Sequence, residues 1–215
     1  MKKIAVVLAG NGVYDGAEVH ESTLTMLAIA RKGAQYQCFA PDVEQAHVVN
    51  HLNGEEMNEK RNVLVESARI ARGDIKPLSE YKAEDFDALI FPGGFGAAKN
   101  LCTFAFDGVD CTVNPDVEKA VRSTVVAEKP IGALCITPVF IAKILGDVKV
   151  TIGQDEATLQ AIEKLGGVHE KTMHGEIVVD EKYKAVTSPC YMLDSRIDQI
   201  ADGAENVVDK IFEIL

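Results

Sequence analysis

The stretch IGALCITPVFIAKIL, residues 131–145, contains the transition that decides the fold. Its first four residues predict a buried strand, and PVFIAKIL predicts a helix over 138–145 with a proline in the first turn. Cys135 stands between them at a sharp strand-to-helix turn. Cys135 either fills space in the hydrophobic core or is a nucleophile at the carboxyl edge of the sheet, where α/β proteins have their active sites.

The same succession of strand and helix recurs along the whole chain. Short apolar runs predict further strands at IAVVLA (4–9), QYQCFA (35–40), ALIF (88–91) and VKVTI (148–152). Helical patterns lie near 17–32, 59–71, 115–128, 155–165 and 194–214. IVV (177–179) and YKAVTS (183–188) predict a late β-hairpin. This alternation predicts an α/β protein with a mainly parallel central sheet and helices on both of its faces.

No internal repeat, low-complexity tract or linker divides the chain, so residues 1–215 are predicted to form a single domain. Residues 43–86 are longer than a simple crossover requires, and we interpret them as an insertion within that domain. The insertion either forms a pocket wall, with Asn62 and Arg69 as candidate lining residues, or is solvated decoration.

Composition restricts the classes of partner. The 215 residues are 47% hydrophobic and 26% charged, and 33 acidic against 22 basic side chains give a net charge of −11. A chain this acidic is a poor binder of nucleic acids and of anionic membranes, and a small polar or electrophilic partner fits better. No apolar run approaches the roughly 20 residues of a membrane span.

The cysteines indicate a reducing environment. There are five, no two form a CxxC pair, and their odd number argues against a disulfide framework or a zinc site. The short apolar start MKKIAVVLAG breaks into NGVYDG without the long apolar region of a signal peptide, so it is interpreted as a first strand. We therefore predict a cytoplasmic protein without a bound metal.

Two glycine-rich loops follow predicted strands. GNGVYDG (10–16) has the spacing G-x-G-x-x-x-G, which differs from that of a dinucleotide site, so we interpret it as a turn that needs positive φ. FPGGFGAAKNL (91–101) allows close approach of the backbone, and its glycines can aim a free N–H at a reacting oxygen.

Two acids on the helix after the first loop are candidates for proton transfer. Glu21 shares a helix face with small and apolar residues, and Glu18 is turned somewhat toward Ile29. A buried carboxyl has a raised pKa and can donate a hydrogen bond to a thiolate or an oxyanion. The alternative is an acid that merely complements the helix dipole. Among the other thiols, Cys190 in TSPCYML is the only serious rival of Cys135.

Together these segments resemble a known family. The glycine loop with its acid-bearing helix, PGGFGAAKNL and the cysteine turn are similar, in order and spacing, to the class I glutamine amidotransferase-like superfamily. The similar branch contains the Parkinson's-associated deglycase and the PfpI-type proteins. More narrowly, GNGVYDGAEVHE, RNVLVESARIARG, PGGFGAAKNL and C-I-T-P resemble the ElbB-type glyoxalases over essentially the whole chain.

The resemblance implies roles for individual residues. Cys135 matches the nucleophile, and Glu21 rather than Glu18 matches the acid that contacts it. Gly94 and the backbone N–H of Ile136 match the oxyanion hole. The resemblance also implies a flavodoxin-like three-layer α/β/α sandwich, a homodimer, and a reaction without metal or organic cofactor.

Two departures from the family pattern bear on activity. Gly153 stands where relatives with robust glyoxalase activity carry a histidine, and His169 and His174 lie too far along the chain to align. Glutamine amidotransferases place a His-x-Glu before the last helix, where this chain has TSPCYML, so glutaminase chemistry is disfavoured.

The predicted function is therefore the slow conversion of a small aldehyde. In this hypothesis Cys135 attacks glyoxal, the product is glycolate, and the same chemistry acts on glycated amines as a deglycase. The alternative hypothesis is a redox or stress sensor that keeps a reactive thiol but has lost efficient catalysis.

Overall fold

A seven-stranded sheet forms the centre of the molecule in the computed structural model, which describes all 215 residues. The strand order is β3-β2-β1-β4-β5-β9-β8; only β8 runs antiparallel to its neighbour. A separate two-stranded parallel sheet pairs β6 with β7. The strands are β1 (Lys3–Val7), β2 (Gln35–Ala40), β3 (Ile75–Pro77), β4 (Ala88–Phe91), β5 (Ile131–Leu134), β6 (Lys149–Val150), β7 (Val168–His169), β8 (Val178–Asp180) and β9 (Ala185–Ser188).

Helices cover both faces of this sheet and complete a flavodoxin-like three-layer sandwich, which confirms the predicted fold class. α1 packs against α7 and α2 on one face, and α4 packs against α5 on the other. None of the helices combines the length and the apolar composition of a membrane span. The helices are α1 (Val19–Arg31), α2 (Val63–Ile70), α3 (Phe104–Asp107), α4 (Pro115–Val126), α5 (Pro138–Leu145), α6 (Glu156–Lys164) and α7 (Ile197–Ile214).

Local sequence signals account for several of these boundaries. Asn114 accepts a hydrogen bond from the backbone N–H of Asp116, and Pro115 occupies the first turn of α4, as the Asn-Pro pair predicts. Strands β4, β5 and β9 are buried at every position because helices cover both faces of the sheet. The β8–β9 hairpin forms as predicted.

The predicted strand VKVTI is shorter than expected and lies outside the main sheet. β9 takes the position beside β5, so residues 149–150 pair with β7 instead. Side chains of the late hairpin hold the segment: Lys149 N donates to Asp180 Oδ2 (2.7 Å) and Thr151 N donates to Thr187 Oγ1 (2.9 Å). The segment therefore satisfies its backbone without entering the sheet.

Residues 43–86 supply α2 and β3 and also cover the loop after β1. Val49 N donates to Asp15 Oδ2 (2.7 Å) at that loop. Asn62 caps α2 through the N–H of Val65, and Arg69 pairs with Glu66 at 2.9 Å, so both candidate lining residues serve local structure.

Direct backbone contact between the two glycine-rich loops is the feature that positions the start of α1. Gly96 N donates to Gly16 O, and Glu18 N donates to Gly93 O, both at 2.9 Å. A Cβ built on Gly96 would lie 2.4 Å from Gly16 Cα, and one built on Gly16 would lie 2.2 Å from Asn11 N. Only glycine permits two backbone segments to approach each other so closely.

We expect Gly96→Ala to lower the free energy of unfolding by about 2–3 kcal/mol, because its methyl group would meet backbone that cannot yield. The control is Gly54→Ala, where the added Cβ meets nothing within 4 Å. Gly54→Ala should lower the free energy of unfolding by only about 1 kcal/mol, which is the cost of placing alanine in a left-handed backbone conformation. Urea unfolding of the three proteins measures both values, and equal costs would contradict the close loop contact.

Candidate active site

Cys135 occupies the turn between β5 and α5 in a backbone conformation that non-glycine residues seldom adopt. Its φ is +60°, which is a strained value that recurs at functional sites. The turn is fixed by hydrogen bonds: Cys135 N donates to Ser188 O (2.9 Å), and Thr137 Oγ1 donates to Phe91 O and Leu134 O. The side chain is 7% exposed and lines a cavity, so the thiol is presented from a largely buried position.

Glu21 is completely buried beside this thiol. Its Oε2 accepts a hydrogen bond from Gly93 N (2.8 Å), its Oε1 accepts one from Tyr191 N (3.2 Å), and the carboxyl and the Cys135 thiol are neighbours beside Gly93. Glu18 has a different task, because it caps α1 by accepting a hydrogen bond from Glu21 N (2.7 Å). The structure thus brings Glu21 to the thiol and leaves Glu18 on the cavity wall.

Burial dominates the electrostatics of Glu21. Removal from water raises its pKa to about 7, and the nearby charge of Glu18 acts in the same direction. The hydrogen bonds from Tyr191 N and Gly93 N and the neighbouring thiol lower the pKa by less. A carboxyl with this pKa can gain or lose a proton near neutral pH.

Burial also raises the pKa of the Cys135 thiol well above its usual value, and the neighbouring Glu21 charge adds to that effect. The position of Cys135 at the start of α5, which would favour a thiolate, does not offset this burial in the resting protein. The backbone N–H groups of Gly94 and Ile136 lie near the sulfur and lower this pKa, but by less than burial raises it. Neither N–H donates to a backbone carbonyl, so both are free to bind a developing negative charge.

Glycine is required where the second loop passes the thiol. A Cβ on Gly93 would lie 2.4 Å from Cys135 Cβ and 2.8 Å from Glu21 Oε2. Gly94 has φ +100°, and a Cβ there would lie 2.5 Å from Glu18 N. Because Gly93 and Gly94 have no side chains, the backbone of the PGG sequence can lie directly against the Cys135 side chain.

A cavity of about 370 Å³ opens above Cys135. Most of its lining is apolar, and its polar groups include the side chains of Glu18, Asp155 and Tyr191. No residue of 43–86 lines it. A larger depression of about 590 Å³ lies between β8 and α7, but it is lined mainly by polar side chains and contains no cysteine.

Tyr191 and His20 are site residues that the sequence reasoning missed. The Tyr191 hydroxyl lies 2.8 Å from His20 Nδ1, its ring lines the cavity, and its backbone N–H binds Glu21. Burial raises the pKa of Tyr191, which keeps its hydroxyl protonated. The only available signal was adjacency, since His20 precedes Glu21 and Tyr191 follows Cys190 in the sequence.

A side chain at Gly153 would be strained in this structure. The φ of Gly153 is +87°, and a Cβ would lie 2.9 Å from Leu193 Cδ2 and 3.0 Å from Pro189 Cβ. His169 Nε2 accepts a hydrogen bond from Ile152 N, and His174 contacts Ser195. Neither histidine lines the cavity.

The rival thiol Cys190 is also buried, and burial raises its pKa well above the usual value. It packs under α7, where a Cβ on Gly203 would lie 3.1 Å from its sulfur, and it does not line the cavity. In addition, no group of three or more His, Cys, Asp or Glu side chains is arranged to hold a metal ion.

The sandwich, the cysteine turn and the buried acid are those of a class I glutamine amidotransferase-like protein. The chain is 46% identical to rat "ES1 protein homolog, mitochondrial" and 47% identical to human "Glutamine amidotransferase-like class 1 domain-containing protein 3, mitochondrial". Each alignment covers 99% of this chain, and 84% and 83% of the respective relative. The chain belongs to this ES1 family of class I glutamine amidotransferase-like proteins.

Solved structures agree with this assignment. An isoprenoid biosynthesis protein with an amidotransferase-like domain from Ehrlichia chaffeensis superposes with a TM-score of 0.94 at 37% identity, over 100% of this chain and 99% of that one. Glyoxalase III from Candida albicans shares the fold with a TM-score of 0.63 at 14% identity, over 100% and 97% of the two chains. A scan against family models gave no match.

The relatives overturn the predicted cytoplasmic location. The rat and human relatives are named as mitochondrial proteins, and so is the ES1 protein of zebrafish, which is 36% identical over 98% of this chain and 85% of its own length. Unpaired cysteines are compatible with more than one reducing compartment, so they could not specify the cytoplasm.

The raised pKa of Glu21 predicts a specific pH dependence of stability. Unfolded Glu21 ionises near 4.5 and folded Glu21 near 7, so the folded protein holds an extra proton between these values. Its stabilising contribution is complete below about pH 4.5 and is lost as the pH rises through about 7. Relative to Glu21→Gln, the wild-type free energy of unfolding should fall by about 3 kcal/mol over this range.

Urea unfolding of both proteins from pH 4 to pH 8 measures this difference. The control is Glu205→Gln, an exposed position on α7, which should show no such trend. A constant difference between wild type and Glu21→Gln across the range would show that the carboxyl is not buried as described.

Proposed function

We propose that this protein is a cofactor-independent glyoxalase of the ElbB type, which converts glyoxal and water to glycolate through Cys135. The observation that carries the proposal is the convergence of three groups on one sulfur: a carboxyl whose pKa is about 7 and the N–H groups of Gly94 and Ile136. A nucleophile, a proton acceptor and an oxyanion site are the components that acyl and carbonyl chemistry requires.

The first step in this proposal is attack by sulfur on one aldehyde carbon of glyoxal. Glu21 accepts the thiol proton as the C–S bond forms, so the high resting pKa of Cys135 is no obstacle. The carbonyl oxygen becomes an alkoxide, which receives hydrogen bonds from Gly94 and Ile136, and protonation gives a hemithioacetal.

The second step moves a proton from the hemithioacetal carbon to the neighbouring carbon by way of an enediol, which gives a thioester of glycolic acid. One carbon is oxidised while the other is reduced, so no external oxidant is needed. Water then cleaves the thioester, and the thiol is restored. Attack on the adduct of glyoxal with an amine is the same chemistry, and this is the basis for a proposed deglycase activity.

Tyr191 is our candidate for the proton donor that the histidine supplies in robust relatives. Its protonated hydroxyl lines the cavity and is hydrogen-bonded to His20, which can return a proton from solvent. A phenol is a weaker acid than an imidazolium, so turnover should remain slow. Acid–base assistance is typically worth about 10²–10⁴-fold.

A redox sensor is less well supported by the site. Oxidation of cysteine follows thiolate character and exposure, and Cys135 is largely buried with a raised pKa. The name of the Ehrlichia relative refers to isoprenoid biosynthesis, but no group in the cavity points to that chemistry.

Cys135→Ser should lower glyoxal consumption at least 100-fold, because a hydroxyl is far harder to ionise than a thiol. Cys190→Ser, the control for thiol loss, should stay within about threefold of wild type. In wild type, kcat/KM should rise with pH through about 7, as Glu21 loses the proton that blocks its role as base. Glycolate is quantified by chromatography, and wild-type conversion by Cys135→Ser would refute the mechanism.

Tyr191→Phe should lower kcat for glyoxal at least tenfold with little change in KM, since the ring and the backbone N–H to Glu21 are kept. Tyr183→Phe is the matched control, because that hydroxyl binds Leu145 O and Asp147 Oδ1 and Tyr183 does not line the cavity. An unchanged kcat for Tyr191→Phe would remove the tyrosine from the mechanism.

A further inference from the structure

The cavity above Cys135 is much larger and more apolar than glyoxal requires. Glyoxal has four non-hydrogen atoms, whereas cavities upward of about 300 Å³ hold drug-sized ligands, and this one measures about 370 Å³. Phe104 and Met192 line it, and Phe95, 53% exposed, also contributes to the lining. Such a surface stabilises a ligand that carries an apolar group, and it gains nothing from a two-carbon dialdehyde.

The charges on the cavity are all of one sign. Glu18 and Asp155 line it, neither forms a salt bridge, and no lysine or arginine contributes to the lining. The hydroxyl and N–H of Thr158 hold the pKa of Asp155 below its usual value, so this carboxylate stays ionised. Lys99 is directed elsewhere, to Tyr14 O at 2.8 Å.

From this combination we infer that the site takes uncharged 2-oxoaldehydes with an apolar substituent about the size of an aromatic ring, and that it rejects anionic aldehydes. The inference rests on the proposed glyoxalase function and names its substrate class. A carboxylate or phosphate on the substrate would lie near buried Glu18 and exposed Asp155 without a cation to pair with it.

The same charges assist release of the product. The reaction is R–CO–CHO + H₂O → R–CHOH–COO⁻ + H⁺: the aldehyde carbon is oxidised, the ketone carbon is reduced, and water supplies the carboxylate oxygen. A neutral substrate therefore becomes an anion inside an acidic cavity, and repulsion from the two carboxylates favours its departure. Product inhibition should be weak in consequence.

The test compares three substrates on the wild-type protein: glyoxal, phenylglyoxal and 4-carboxyphenylglyoxal. We expect kcat/KM for phenylglyoxal to exceed that for glyoxal at least tenfold, since a buried apolar group can be worth that factor. The carboxylated ring should be at least tenfold poorer than phenylglyoxal. Equal values for the charged and uncharged rings, or no preference for phenylglyoxal over glyoxal, would overturn the inference.

Two variants separate the apolar and the charged contributions. Phe104→Ala should lower kcat/KM for phenylglyoxal at least fivefold more than for glyoxal. Asp155→Asn keeps a side chain that can cap α6, and it should raise kcat/KM for 4-carboxyphenylglyoxal severalfold while changing that for phenylglyoxal less. If neither variant shifts these ratios, the named residues do not select the substrate.

Binding to Cys135→Ser distinguishes this inference from failure of the proposed function. Ligand-observed NMR with acetophenone and with benzoate probes the cavity without chemistry. Binding of acetophenone but not benzoate, together with no turnover of any oxoaldehyde by wild type, would sink the glyoxalase proposal and leave the ligand class intact. Absence of acetophenone binding, or equal binding of benzoate, would overturn the ligand class itself.

Discussion

Close backbone contact between the loops after β1 and β4 is the constraint on which the site depends. Gly94 and Gly96 allow the two loops to touch at distances that any side chain would prevent, and the contact sets the position at which α1 begins. Glu21 lies one turn inside that helix, so its carboxyl arrives beside the turn after β5. A small displacement of either loop would separate the acid from Cys135.

The same burial that joins these groups also determines their protonation. In water a carboxyl is ionised and a thiol is largely protonated at neutral pH, and burial pushes both pKa values upward. For Glu21 the result is a group that titrates near neutrality, and for Cys135 it is a thiol that ionises only when its proton has somewhere to go. The site is thus built for transfer of one proton between two buried partners, at a cost to the stability of the folded protein above neutral pH.

The turn after β9 packs against Gly153 and also contributes to the cavity. Gly153 has positive φ, and a Cβ built on it would lie 2.9 Å from Leu193 Cδ2 and 3.0 Å from Pro189 Cβ. The same turn contributes Tyr191, whose hydroxyl contacts His20.

The sequence by itself determined what depends on local pattern. Buried runs such as ALIF and IGAL, the Asn114-Pro115 cap and the glycines at positions of positive φ predicted the parallel sheet, its helices and the turn that carries Cys135. Contacts between segments that are far apart in the sequence could not be predicted from such local patterns. The short pairing at 149–150 depends on β9 occupying the position beside β5, and Tyr191 joins the cavity only because the chain returns there from 170 residues away. Tertiary structure alone decided that burial outweighs the start of α5 at Cys135, since desolvation is a property of the packed interior and not of a neighbouring sequence.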